Sequence, residues 1–434
     1  MSSGQSASVS TDQSLAVPVL YLSYDGLTDP LGQSQVLPYI TGLVQQGYDF
    51  TIISTEKKDA YEQRKELIES LIKPFGGRID WQPILYTKKP PVLSTLWDVW
   101  QMRRKAQALR KQKHFRIVHC RSYIAALVGA FLKKKYTISL VFDMRGFWAD
   151  ERVEGGLWNL HNPVFRQVYR FFKRKEKEFL RLADYTISLT YHARQEMHTW
   201  PGFAHTPIQV IPCCVDTDLF RPVASSEDSI PGNTKTAVTI SYLGSLGTWY
   251  MLDEMLLFFK QLLQHRPGSR FLFITPDDPA MIWQAAKRLG VPESQLLIRK
   301  AERREVPTLL AQSQLSLFFI KPSYSKKASS PTKMGEILGM GLPVVCNADV
   351  GDANYLMQHY RLGGLVQAFS AAEYDRIIYQ LDDILRIPPQ SLRQAALDYF
   401  ALEKGVDLYT EVYRKVTRWY IQMYDGVKNE AAEA

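Results

Sequence analysis

The sequence predicts an α/β protein built from two doubly wound, Rossmann-like domains that face each other across a cleft. Three observations predict it. Short runs rich in β-branched and aromatic residues alternate with segments of helical spacing along nearly the whole chain, the pattern of parallel sheets covered on both faces. One polar, breaker-rich stretch, VASSEDSIPGNTK at 223–235, interrupts the alternation near its midpoint and reads as a linker. Finally, 434 residues exceed what a single core usually organises, so two domains of roughly 200 residues are expected.

Residues 1–15 are Ser-rich, with neither the basic start nor the apolar stretch of a secretory signal; they predict a disordered tail on a cytoplasmic protein. The first domain, 16–222, carries strand candidates at VPVLYLSY (Val17 to Tyr24), FTIIS (from Phe50), WQPILY (from Trp81), RIVHCRS (from Arg116), SLVFDMRG (from Ser139), YTISLT (from Tyr185) and IQVIPCCV (from Ile208). The second, 236–405, restarts at TAVTISYLG and continues into a helix whose Leu252, Met255, Leu256, Phe259, Leu262 and Leu263 share one face. RFLFIT, LLIRK, LSLFFIKP and LPVVCN follow as strands. Residues 406–434 form a last helix and tail, and GVDLYTEVYRKVTRWYIQMY (Gly405 to Tyr424) alternates aromatic and basic residues at helical spacing. Packing on a domain is the plain reading of that helix, with membrane or nucleic-acid contact as the alternative.

Composition narrows the class. A hydrophobic fraction of 46% supplies ample core, while the longest apolar run, IAALVGAFL from Ile124, is about half a membrane span. Cys120, Cys213, Cys214 and Cys346 lack metal-site spacing and read as reduced thiols. The net charge of +9 lies wholly in the first half: residues 1–222 hold 30 Lys and Arg against 21 Asp and Glu. Within Trp81 to Thr190 the count is 22 against 8, which predicts an anionic surface or substrate.

The chemistry gathers at SSPTKMGEILGMGLPVV, Ser329 to Val345. Ser330 can cap a helix and Pro331 suits its first position, yet Lys333 then falls in the first turn, where the dipole favours an acid. A bound phosphate resolves the conflict, because free N–H groups, dipole and ammonium all favour one anion. Glu336, nearly on the same face, could accept from a ribose diol; the alternative is a solvated Lys–Glu pair contributing about 0.2–0.5 kcal/mol. Gly244 and Gly247 in YLGSLGTWY, between a strand and a helix, form a second candidate anion loop. In FDMRGFWADERVEGG, Asp143, Arg145 and Asp150 follow a strand and are acceptor-side candidates, or only pair with one another. Asp216-x-Asp218 has the look of a metal-binding pair, but its place at the domain boundary speaks against that role.

SPTKMGEILGMGLPVV, YLGSLG and VIPCCVDTDLF together resemble the retaining family-4 glycosyltransferases of GT-B fold, across about residues 16–405. The resemblance implies a nucleotide-sugar donor as co-substrate, transfer with retention, and no metal. It places Glu336 on the ribose, His119 of RIVHCRS facing donor sugar and acceptor, Gly32 at the entry to the first glycine-loop helix, and the nucleobase near Arg299, Lys300 and Ala301. His119, Lys333 and Glu336 become the expected catalytic residues, with Ser329, Ser330 and Thr332 contacting the donor.

The chain departs from the family pattern at three places. Cys213 and Cys214 replace the usual Asn and Gly, Ala328 stands where a glutamate usually touches the donor sugar, and Ser245 stands where an arginine usually grips the diphosphate. Lys333 is the expected substitute for that grip, with Lys321 or Lys327 in reserve. The departures motivate a second reading, a non-catalytic nucleotide-sugar-binding protein; a phosphorylase or sugar-nucleotide epimerase on the same fold is a third. Basic and aromatic residues in YTKKPPVLSTLWDVWQMRRKAQALRKQKHFR and FRQVYRFFKRKEKEF match no nucleic-acid module and suggest an anionic membrane surface, hence a peripheral membrane location and a saccharide or lipid-linked acceptor. Amphipathic helices packed on a sheet are the alternative.

Overall fold

The structure, a computed structural model, describes residues 16–222 and 237–432; the expected tail at 1–15 and linker at 223–235 lie outside them. In the first domain the strands are β1 (Val17–Ser23), β2 (Tyr48–Glu56), β3 (Ile79–Trp81), β4 (Ile84–Leu85), β5 (Ile117–Arg121), β6 (Ser139–Asp143), β7 (Tyr185–Ser188) and β8 (Ile208–Val210). They form one parallel sheet in the order β3-β2-β1-β5-β6-β7-β8, with β4 continuing beside β2. WQPILY is therefore two strands, because Pro83 has no N–H to give the ladder.

The second domain is a parallel sheet of β9 (Thr239–Leu243), β10 (Arg270–Ile274), β11 (Leu296–Arg299), β12 (Leu315–Phe318), β13 (Val344–Asn347) and β14 (Gly363–Val366), in the order β11-β10-β9-β12-β13-β14. β14 is the strand that the sequence reading lacks. Its Gly363 and Gly364 read as breakers, but Gly363 lies at φ 145° with a would-be Cβ 2.1 Å from the Val344 carbonyl, so only glycine fits that close strand pairing.

In both sheets the order reverses beside the first strand, which opens a crevice at the carboxyl ends. The long helix Leu402–Ala432 leaves the second domain and returns to the first. Its Val406, Tyr409, Val412, Tyr413 and Val416 are buried in one cluster with Val19, Tyr21, Ile117 and Val141. Its inner residues thus pack as the periodicity implies, but on the opposite domain.

The domains are seated on each other by charge and backbone together. The Asp352 carboxylate accepts the N–H groups of Tyr191 (2.8 Å) and His192 (3.0 Å), capping the helix Tyr191–Thr199 from across the interface. Glu154 likewise accepts from Tyr324 and Ser325, each at 3.0 Å. Lys326–Glu151 and Lys327–Glu196 pair at 2.7 Å, and Tyr324 stacks on Phe147 with centroids 5.0 Å apart. No described helix is long and apolar enough to cross a membrane.

Candidate active site

A cavity of about 280 Å³ lies between the domains, near the lower end of ligand-site volumes. Arg145 and Glu151 line it from the first domain, and Tyr250, Lys326, Ser329 and Ser330 from the second. The helix Thr332–Gly339 begins at its wall, with Pro331 as the residue before the first turn. Ser330 does not cap that helix. Its hydroxyl instead accepts the Cys213 N–H at 3.1 Å, satisfying a donor in the loop where the first domain ends. At the other end Gly341, at φ 72°, closes the helix in a left-handed turn.

Lys333 and the glycine loop, 86 positions apart or more, are brought together because β9 and β12 are neighbours and their carboxyl-end loops meet. A Cβ placed on Gly244 would stand 3.4 Å from the Lys333 Nζ. The ammonium donates to the Tyr242 hydroxyl at 3.0 Å and lies over the Tyr250 ring, 3.4 Å from its centroid. Lys333 is 7% exposed, and burial holds its pKa well below the usual lysine range, only partly opposed by Glu336 and Asp277. Among the described residues no acid is in direct contact with this buried amine, so an incoming anion would favour its charged form.

Glu336 is nearly buried and accepts from Arg303 at 2.7 Å. Gly244 (φ 101°) and Gly247 (φ 46°) give the loop its left-handed backbone. Within it, Asp277 already accepts the Leu246 N–H at 2.6 Å and the Ser245 hydroxyl at 2.9 Å. Ser245 therefore holds the loop rather than an empty anion cradle. Arg303 and Asp277 escaped the sequence reading; the only signal was their place after the carboxyl ends of β11 and β10. Arg299 and Lys300 are exposed at that same edge.

On the first domain, two of the expected residues lie away from the cavity lining. His119 does not face the cavity. It is 2% exposed at the centre of the sheet, paired in register with Tyr21 and Val141, with Nδ1 2.7 Å from the Tyr413 hydroxyl of the returning helix. Burial lowers its pKa, against the opposing pull of Asp143, whose carboxylate is 3.6 Å from Nε2. Asp150 also turns away from the cavity: it accepts from Tyr169 and Lys173, both at 2.8 Å, inside the first domain. The helix Trp148–Glu154 presents the adjacent Glu151 to the cavity instead.

Asp143 is 1% exposed and accepts from Tyr409 at 3.1 Å. Burial alone would raise its pKa, but Arg145, His119 and Arg121 hold it below the usual carboxylate value. Arg145, at φ 58°, reaches the cavity while its Nη2 lies 3.2 Å from the Cys213 sulfur. Arg121, two residues beyond His119, meets Asp25 at 3.3 Å at the end of β5 and was also missed. Gly32 lets its helix press on the preceding loop; a Cβ there would lie 2.2 Å from the Gly26 carbonyl. Asp216 accepts the N–H groups of Asp218 and Leu219, closing a local turn.

Residues 34–219 match the family model described as Glycosyltransferase Family 4. Among curated proteins there is no match. Solved structures are similar over nearly the whole chain. Sucrose-phosphate synthase from Thermosynechococcus elongatus has a TM-score of 0.68 at 14% identity, over 92% of this chain and 99% of that one. A glycosyltransferase from Rickettsia africae gives 0.64 at 15%, over 92% and 98%. Anabaena HepE in complex with UDP and glucose gives 0.61 at 16%, over 91% and 99%. The architecture is thus the GT-B glycosyltransferase fold.

Proposed function

We propose that this protein is a glycosyltransferase that moves a sugar, with retention of configuration and without a metal, from a nucleoside diphosphate sugar to a saccharide or lipid-linked acceptor. One observation carries the reading. The cavity is walled by the start of the helix that bears Lys333 and Glu336, and Arg145 faces it from the other domain. The family match over the first domain and the likeness to HepE, a structure holding UDP and glucose, support it.

In this reading the diphosphate sits between the Gly244–Gly247 loop and the helix start, where Lys333 and the N–H groups near Thr332 neutralise the charge that builds up as the sugar leaves. Glu336 accepts from the ribose hydroxyls, oriented by Arg303. The base lies along Arg299 to Ala301, and Ser329 and Ser330 meet the sugar. His119 and Asp150 have no contact with the cavity and take no part in the chemistry.

A second reading, binding without catalysis, is favoured by two features: the Asp277 carboxylate already occupies the glycine loop, and Ala328, 4% exposed, packs with the first domain's core. Turnover of a panel of nucleoside diphosphate sugars separates the two. Hydrolysis or transfer in the wild type, lost in Glu336→Ala, is expected. Tight binding with no turnover of any donor would favour the second reading, and equal turnover in both proteins would refute the site.

A further inference from the structure

The helix Leu93–Gln112 is apolar on two opposite faces in its first half. Ser94, Asp98, Met102, Ala106 and Leu109 are buried against the first domain. On the opposite face Leu93, Leu96, Trp97 and Trp100 are 63%, 58%, 52% and 46% exposed, and the two indoles stack with centroids 4.7 Å apart. The segment before it adds exposed Leu85 and Tyr86. Single exposed apolar residues are ordinary, but a contiguous patch that includes two stacked tryptophans marks an interaction surface.

The charge around the patch is of one sign. Lys88 and Lys89 precede it, Arg104 lies over the Trp100 ring at 5.3 Å, and Lys111 continues the same face; none has an ion pair among the described residues. Asp98, the acid of this helix, lies on the opposite, buried face, where it accepts from the Tyr24 hydroxyl at 2.8 Å and the Thr87 N–H at 3.2 Å. Tyr24 directly follows β1, so this contact fixes the helix start at the carboxyl-end edge of the sheet, the edge that faces the cleft.

We propose that this face docks on an anionic lipid bilayer, with Leu93, Leu96, Trp97 and Trp100 at the boundary between headgroups and acyl chains and the cations on lipid phosphates. The inference rests on the glycosyltransferase reading for its consequence: the acceptor is a membrane-borne lipid or lipid-linked saccharide, presented beside the first domain's side of the cleft.

Vesicles of phosphatidylglycerol mixed with phosphatidylcholine, and of phosphatidylcholine alone, provide the test. The full chain is expected to co-sediment with the anionic vesicles, more weakly as salt rises, and its tryptophan emission to be quenched by brominated acyl chains. Arg104→Glu with Lys111→Glu should weaken binding by about fivefold or more per site. Trp97→Ser with Trp100→Ser should weaken it at least about tenfold and remove the quenching. Circular dichroism checks that the variants fold, and unchanged UDP affinity checks that the donor site is intact. Absence of sedimentation, binding unchanged in both variant pairs, equal affinity for a nucleic-acid polyanion, or a dimer that the serine pair dissolves would each overturn the proposal. Failure of UDP to bind the wild type would overturn the function above while leaving this face standing.

Discussion

The two domains place their polar residues in opposite ways relative to the cleft. In the second domain Lys333 and Glu336 lie on a helix that starts beyond a strand end, and the glycine loop packs against them. In the first domain His119 and Asp143 lie within strands, under the returning helix, which supplies Tyr413 and Tyr409 as their partners. The lesson concerns position along the strand. A polar group inside a central parallel strand is covered on both faces and becomes structural, whereas one past the strand end remains available to a ligand.

The largest expected effect tests the structural side. His119→Ala removes a fully enclosed ring and leaves Tyr413 unpaired, so denaturant unfolding should show a loss of about 3 kcal/mol, with UDP affinity unchanged once folding is restored by temperature. A stable variant with weakened UDP binding would return His119 to the site.

Glu336→Ala should do the reverse. Arg303 is half exposed, so the pair adds little to stability, but loss of the ribose acceptor should weaken UDP about tenfold, roughly 1.5 kcal/mol, by titration calorimetry. Unchanged affinity would leave Glu336 only a structural partner of Arg303.

The smallest effect is a proton. Burial depresses the Lys333 pKa in the free protein, and a diphosphate beside it would raise it. Between those two values binding takes up a proton, so affinity is greatest below the free-state pKa and declines as pH rises toward the liganded one. Calorimetry in two buffers of different ionisation heat should detect the uptake; its absence in the alkaline range would mean that Lys333 does not sense the phosphates.

Much of this was legible in the sequence for a physical reason. Strands such as SLVFD and LSLFF are continuous apolar runs, and Lys333 is conspicuous because a helix start disfavours it. The meeting of Lys333 with Gly244 followed from both lying at carboxyl ends of one parallel sheet. What escaped depended on chain segments far apart. Nothing local to His119 announces Tyr413, 294 residues away, and nothing local to the glycine loop announces that Asp277 fills it. β14 was hidden because glycine there serves close packing rather than a turn.

If Lys333 is the diphosphate grip, calorimetric titration of UDP into wild type and Lys333→Met should separate the two proteins. The substitution keeps the side chain's apolar length over Tyr250 and removes a buried charge, so the thermal midpoint should hold or rise. UDP binding should weaken at least about thirtyfold in the variant, near 2 kcal/mol, with proton uptake abolished. Equal affinity in the two proteins would contradict that role for Lys333.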